Sequence, residues 1–584
     1  MKLTSRLTLT AVATLGALVA HALEAQADEP VPSAAGPGEE VPVRRTAPTR
    51  PTAGSVWFEN SGMLRFRPTL LMGGNLGLGN GGPSPVPLPL EAKTGDAADA
   101  TSLAWADLRL RWSPTLHLGD QFSVHLGIDV VDGLVLGSTW ADAGGLAAMG
   151  FESEAAASPS SGRFGWRDAM QVRSLYARWL AFDTFELVVG RVPDRFGLGL
   201  VRNDGGCEEC DRGTIVDMVS LAFTLSGFRL QGTWEYTAVG ATSDLAFAAD
   251  RGAGGQPTDL GEADDVTTYT VRAGRFAVSA AEKEARRKML DEDRLWAFDW
   301  ALFTAFTDQT ASSSEQLGET SLECKPEGEL ADGQPIQPYA CIQLFKRGAF
   351  FWRPGFWFKA ERHPNLMSSL RVELEAAALI GDIAHPQRLL DADSLEAKTF
   401  QGFGAALEVE WKNQSLGLGL DSGFATGDDG QYLGILDGQN VVDPDDDAYA
   451  TNDALRKNRK ITSFWFARDY LVDLILFREI LGGVTNAFYL KPWVSKTVLD
   501  TDAMTLSLRL DGLYALATRP SGTPGKGDQW GIELDGRAIL ELRDGFRASL
   551  GIGGLFPLDA LDDPDTGKRP DPVFAARATL GWVF

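Results

Sequence analysis

Charged residues alternate with apolar ones along many short stretches of this chain. Arg65 and Arg67 flank Phe66, and Arg109 and Arg111 flank Leu110. Glu373 and Glu375 flank Leu374, and Glu408 and Glu410 flank Val409. Arg509, Glu533, Asp535 and Arg577 occupy equivalent places, and Arg173 and Arg191 lie in stretches of the same kind. A period of two puts these guanidiniums and carboxylates on one face of a strand, with apolar side chains on the other. A face of that kind can orient polar or anionic solutes, or its opposite charges can simply pair and brace the structure. Both readings are open at this stage.

Catalysis is poorly served by the same residues. A hydrolase needs a nucleophile, a base and an orienting group near one another. Beyond the N-terminal segment the histidines are His117, His125, His363 and His385, and no G-x-S-x-G occurs. A carboxylate pair could still act as acid and base, but no motif singles one out. The expectation is no enzyme, no cofactor and no metal. Four cysteines remain: Cys207 and Cys210 form C-x-x-C, and Cys324 and Cys341 bracket another loop. Two local disulfides, Cys207–Cys210 and Cys324–Cys341, are the favoured reading, since a zinc site needs more ligands. Asp428, Asp429, Asp443, Asp445, Asp446 and Asp447 form acid runs without EF-hand spacing.

The charges need elements to position them. The last stretch, Val573–Phe584, shows those elements best. Phe584, Trp582, Leu580, Ala578, Ala576 and Phe574 share one face, opposite Val583, Gly581, Thr579, Arg577 and Ala575. About 9–11 such residues with aromatic rims match the height of an outer-membrane bilayer. Eighteen candidate strands repeat the pattern, from 62–73 and 102–112 to 545–556 and 572–584. The segment 463–480 reads either as two more strands or as a folded-in loop with a helix over Val472–Leu481; the loop is preferred. Ala281–Asp293 is a charged, helix-favouring connection, with Glu282 and Arg286 at i, i+4.

Connections alternate between short (Ala181–Thr184, Ser226–Gly227, Asn413–Gln414) and long (Gly74–Ala100, Gly137–Gly165, Arg195–Gly213, Thr307–Phe345, Gly427–Lys460). Short periplasmic turns and long extracellular loops are the asymmetry of an outer-membrane barrel; a soluble sandwich has no reason to keep it. The expected fold is therefore all-β: a transmembrane antiparallel up-and-down β-barrel of about 18 strands, range 16–20.

The start of the chain agrees. Residues 1–27 read as a signal peptide, with Lys2 and Arg6, an apolar run and Ala25-Gln26-Ala27. Residues 28–54 are Pro-rich without periodicity, a disordered periplasmic leader. Residues 55–584 form the barrel. The net charge of −25 argues against nucleic acid as a partner.

Several strings resemble an uncharacterised family of myxobacterial outer-membrane barrel proteins. They are L-R-L-R-W-S-P-T-L-H-L (108–118), V-G-R-V-P-D-R-F-G-L-G (189–199), N-D-G-G-C-E-E-C-D-R-G-T-I-V-D (203–217) and D-Y-L-V-D-L-I-L-F-R-E-I-L-G-G-V-T-N-A-F-Y-L-K-P (469–492). More distantly, F-A-T-G-D-D (424–429) with Asn486 resembles alginate-export-type porins. The aromatic C-terminus at Phe584 resembles the sorting signal read by the barrel-assembly machinery.

The expected place is the Gram-negative outer membrane, among its lipid and lipopolysaccharide. The expected function is a porin-like channel for small hydrophilic solutes, anionic ones included. An export pore for an anionic polysaccharide is the alternative, and a structural barrel anchoring a surface assembly is another. The candidate pore lining is Arg65, Arg67, Arg109, Arg111, Arg173, Arg191, Glu373, Glu375, Glu408, Glu410, Arg509, Glu533, Asp535 and Arg577.

Overall fold

The computed structural model describes residues 56–74, 76, 102–135, 170–182, 184–238, 265–277, 280–313, 322–324, 339–341, 344–385, 397–429, 460–563 and 567–584. The signal peptide, the leader, Asp443, Asp445, Asp446 and Asp447 lie outside the described residues. Eighteen antiparallel strands close into one barrel. The first strand, Gly62–Met72, pairs with Ser102–Trp112 on one side and with the last, Val573–Val583, on the other. That closure pairs the first strand with the last, so neither end of the sheet is left as an open edge in the bilayer. The chain end is part of the seam: Gly62 N–H donates to the Phe584 carbonyl at 2.9 Å.

Alternation decides which way each side chain faces. Leu64, Leu110, Leu550, Ile552, Leu580 and Trp582 point outward, while Arg65, Arg109 and Arg111 point into the lumen and are buried. Turns on one side are tight. Ser226 and Gly227, at φ 51° and 73°, make the two-residue hairpin turn whose twist matches its strands. The connecting helix on that side runs Ala280–Asp291. Its Arg286 reaches the wall carboxylates of Asp299 at 2.6 Å and Glu361 at 2.9 Å, holding the helix against the barrel.

The wall is uneven. Ala297–Ser313 and Leu344–Asn365 have 17 and 22 residues, whereas Phe185–Pro193 has 9. Three short strands are added to the sheet, Val56–Glu59, Thr115–Leu118 and Lys460–Ile461. The segment 463–486 does not add a strand pair. It lies inside the barrel with one π-helical turn at Leu476–Ile480, shorter than the helix expected over Val472–Leu481. With Leu198, Leu200, Trp530 and Leu555 it builds an apolar core within the lumen.

The outward face implies a test. Leu550 is 52% exposed and lies mid-strand on the outer wall. Leu550→Arg should lower folding stability in lipid vesicles by about 2–4 kcal/mol, measured by denaturant titration.

Candidate functional site: inward segments held between charged walls

Two irregular segments cross the lumen, Asp194–Thr214 and Thr462–Asn486. Irregular backbone at membrane depth must find hydrogen-bond partners inside the protein. The wall side chains supply them. Glu375, fully buried, accepts from the amides of Gly199, Leu200 and Val201 at 3.0, 3.1 and 3.2 Å. Glu533 accepts from Leu474, Ile475 and Leu476 at 3.0, 2.9 and 2.8 Å.

The arginines on the wall opposite Glu375 take the carbonyls. Arg65 donates to the carbonyls of Glu208 and Cys210 at 3.0 and 3.3 Å, and Arg67 to that of Glu209 at 3.2 Å. Arg109 donates to Cys210 and Asp211 at 2.6 and 3.1 Å, and Arg111 to Gly205 at 2.9 Å. The Cys207–Cys210 disulfide closes the turn that presents these carbonyls. Gly205 is required there: its φ is +64°, and a Cβ would meet the Arg212 carbonyl at 1.8 Å.

Ion pairs complete the attachment. Asp107 bridges Arg65 and Arg67 at 2.9 Å each. Asp211 pairs with Arg65 at 2.9 Å and Arg67 at 2.8 Å. Glu209 meets Arg478 at 3.0 Å, and Arg577 meets Glu479 at 2.6 Å. Burial alone would raise the Asp211 carboxyl; the guanidiniums of Arg67 and Arg65 overcome it and hold the carboxyl at about 2. Burial likewise opposes ionisation of Glu209, yet Arg478 and Arg577 keep its carboxyl well below the usual range. The two inward segments also hold each other: Asn203 donates to the Asp469 carbonyl at 3.1 Å, and the Arg212 amide donates to the Asp469 carboxylate at 3.0 Å.

The remaining expected lining residues fall in several places. Glu373 accepts from the Trp357 indole at 2.7 Å and pairs with Arg371. Arg371 also reaches Glu408 at 3.3 Å and Glu410 at 3.6 Å. Arg509 pairs with Asp511 at 2.8 Å and lies 4.2 Å over the Trp493 ring. Asp535 is buried, and its Oδ1 has no hydrogen-bond partner among the described residues. Arg173 reaches inward to the carbonyls of Asp204 and Arg212. Arg191 departs from the expectation. It stands opposite Leu175 and Asp217, Asp217 stands opposite Tyr236, and Leu175 and Tyr236 face outward. Arg191 is therefore on the outer wall, paired with Asp217 at 2.7 Å.

Other expectations resolve locally. Cys324 and Cys341 lie on two short paired strands, opposite Tyr339 and Leu322; their side chains are outside the described residues. Asp428 accepts from the Thr462 amide at 2.7 Å, and Asp429 accepts from the Ser521 hydroxyl, so both brace loops. Asn486 accepts from the Arg519 amide at 2.7 Å and sits against Gly427, which brings together the F-A-T-G-D-D string and its downstream asparagine. Ser123 contacts His125 at 2.8 Å, but the other ring nitrogen meets Thr115 rather than a carboxylate, so these three are not a hydrolase triad. Among the described residues no cluster of His, Cys, Asp and Glu could hold a metal ion. The anchoring residues Arg202, Asp194 and Asp473 were not singled out from sequence; the glycines of the 189–199 string were the available signal.

No protein-family model matches the chain, and no curated protein matches it. Its fold is similar to solved outer-membrane porins. These include OccAB2 of Acinetobacter baumannii, at 10% identity and TM-score 0.42. OccK2 (OpdF) of Pseudomonas aeruginosa, solved in complex with glucuronate, has 9% identity and TM-score 0.43. OpdK of Pseudomonas aeruginosa, solved with vanillate, has 8% identity and TM-score 0.41. Each match covers 90% of this chain and 98% of the other. At that level of similarity the likeness carries no substrate to this chain.

Two outcomes are expected from the geometry. Glu375→Ala leaves the amides of Leu200 and Val201 without an acceptor, each costing about 1–3 kcal/mol, while Gly199 keeps the Phe196 carbonyl. Hydrogen exchange at Leu200 and Val201 should accelerate strongly while exchange in the barrel strands stays slow. Second, a carboxylate with a depressed pKa contributes stability above its ordinary pKa and loses it as pH falls through the folded value. The Asp211 clamp should therefore hold from neutrality down to about pH 4 and weaken from there toward 2. Single-channel current recorded across that range should be steady above the window and change within it.

Proposed function

We propose that this protein is a channel of the Gram-negative outer membrane for small hydrophilic solutes, with a preference for anions. The observation that carries the reading is the arrangement of the lumen. A polar-lined barrel is narrowed by two inward segments pinned to its wall at several points, which is the architecture of a constriction. A narrowed lumen suits small solutes better than a polysaccharide chain. The wall arginines first in line for selectivity, Arg65, Arg67, Arg109 and Arg111, serve here as clamps for the constriction.

The anion preference is assigned to different residues. Arg353 and Arg537 point into the lumen, and neither has an ion-pair partner among the described residues. Arg353 donates only to the Thr307 hydroxyl, at 3.2 Å. A guanidinium without a fixed carboxylate is available to a passing anion, because charge lining the route sets selectivity. We also assign Phe584 as the sorting signal for barrel assembly, and lipid and lipopolysaccharide as the surroundings of the outer wall. Membership of the myxobacterial barrel family is proposed on the strings quoted above.

Planar-bilayer recording tests the reading. Purified protein should conduct, and Arg353→Ala with Arg537→Ala should lower the anion-to-cation permeability ratio, read as a shift in reversal potential under a salt gradient. Absence of conductance under all conditions would overturn the channel reading. An unchanged reversal potential would remove the anion preference.

A further inference from the structure

The barrel seam between Met170–Ala181 and Phe185–Pro193 is closed only in part. Hydrogen-bonded register runs from Ala181↔Phe185 to Leu175↔Arg191 and stops there. Above that point Met170–Val172 stays paired with its other neighbour, Phe122–Val135, while Phe185–Pro193 stays paired with Ile215–Leu225. Among the described residues no strand is paired with residues 170–174 on that side, which leaves a gap in the hydrogen-bonded wall. A cavity of about 300 Å³ occupies it.

The lining of this cavity comes from both sides of the wall. Asp129, Arg173 and Arg212 lie on the lumenal side, and Val172, Arg191 and Ile215 on the outer side. The cavity is therefore a slot through the upper wall, open to the membrane. Arg173 forms its inner end, held by the carbonyls of Asp204 and Arg212.

Charge in the slot is positive on balance. Asp129 is held by both ends of Arg111, at 2.6 and 2.8 Å, and also pairs with Arg173 at 3.6 Å. Asp211 is held by Arg65 and Arg67. Arg212 is exposed and makes no side-chain ion pair among the described residues. Below the slot the wall turns apolar: Val172 and Leu175 are exposed on the outer face at 53% and 50%. Depth is marked independently. Tyr236, packed with Trp234 at 4.6 Å on the outer wall, stands opposite Asp217, the partner of Arg191. Outward tyrosine and tryptophan belong at headgroup level.

We propose that this slot binds an anionic amphiphile from the membrane, its headgroup seated between Arg173, Arg191 and Arg212 and its acyl chain lying along Val172 and Leu175. The occupant follows from position. Whatever fills a slot open to the bilayer meets the Arg212 guanidinium, beside the paired Arg173 and Arg191, at one end and apolar side chains at the other. A free anion satisfies only the first, and a neutral lipid only the second. The headgroup chemistry is a single carboxylate or phosphate, which Arg can engage bidentately. The proposal does not depend on the channel reading.

Native mass spectrometry of the detergent-solubilised full protein tests this. The probes are oleate, dioleoyl phosphatidic acid, dioleoyl phosphatidylcholine and inorganic phosphate. Oleate or phosphatidic acid, or both, should be retained, and the relative retention of the two identifies the headgroup. Phosphatidylcholine and inorganic phosphate should not be retained. Arg212→Ser, in a loop outside the strands, should lower retention about tenfold, the worth of one charge-assisted hydrogen bond. Val172→Asp should lower it similarly, and Val172→Leu should restore it. Folding of each variant is checked by its heat-dependent shift on electrophoresis, and Val172→Asp should leave single-channel conductance unchanged. Retention of inorganic phosphate as strong as that of phosphatidic acid would overturn the proposal, leaving an anion site without a chain. Equal retention of the anionic amphiphiles by wild type and by Arg212→Ser would overturn it too, as would retention of none of them.

Discussion

A backbone that leaves its sheet inside a membrane protein must have its amides and carbonyls satisfied by something other than a strand neighbour. That requirement organises this lumen. Glu375 collects three successive amides and Glu533 three more. Across the lumen from Glu375, Arg65, Arg67, Arg109 and Arg111 collect carbonyls of residues 205–211. Carboxylates can only accept and guanidiniums can only donate. A segment stretched between an acidic wall and a basic wall therefore has one fixed sense: amides toward the acids, carbonyls toward the arginines. The 194–214 segment is oriented in that way, and its small disulfide loop gives the arginines a preformed set of acceptors.

The same arrangement changes what the wall charges mean. An arginine that is buried, hydrogen-bonded to a carbonyl and paired with Asp107 or Asp211 has little charge left to offer a solute. Removing it would leave buried carbonyls unsatisfied, so its loss is first a loss of structure. Selectivity then falls to charges that the constriction does not use. The apolar core among Leu198, Leu200, Ile475, Leu476, Trp530 and Leu555 makes the inward segments a packed body rather than loose loops. Hydrogen bonds fix where that body sits, and packing keeps it together.

Much of this fold was legible in the sequence, and the reason is local. A period of two with one apolar face specifies both a strand and the direction of each side chain, so Ser102–Trp112, Phe228–Ala238 and Val573–Val583 could be read within a residue or so. The short turns could be read too, since Ser226–Gly227 needs positive φ at both positions. The roles of Glu375 and Glu533 could not. Alternation says that they face inward, but nothing local says that a segment far away in sequence will present its amides to them. The π-helical turn at Leu476–Ile480 has the same cause: the wall carboxylate of Glu533 and the segment's own Asp473 take the amides from Leu474 to Arg478 and do the work of a helix start. Arg191 is a different case. Phe185, Leu187 and Val189 carry the register that puts it outside, and in a sequence reading the charge of an arginine outweighs that register.

Arg191 also shows how far the constriction reaches. The 194–214 segment turns inward directly after Pro193, and Asp194 is bound there by Arg202 at 2.7 Å and by Arg272. A strand whose continuation is drawn into the lumen cannot extend upward to pair with the top of its neighbour. The Phe185–Pro193 strand is short for that reason, and among the described residues no strand pairs with 170–174 on that side. The gap in the wall, the outward Arg191–Asp217 pair and the inward Arg173 are thus consequences of one choice, the point at which the chain leaves the sheet. Moving that point upward would close the wall, but it would also carry the 199–201 amides away from Glu375 and the 205–211 carbonyls away from the arginines. In this barrel a narrowed lumen and an incompletely paired wall are therefore produced together.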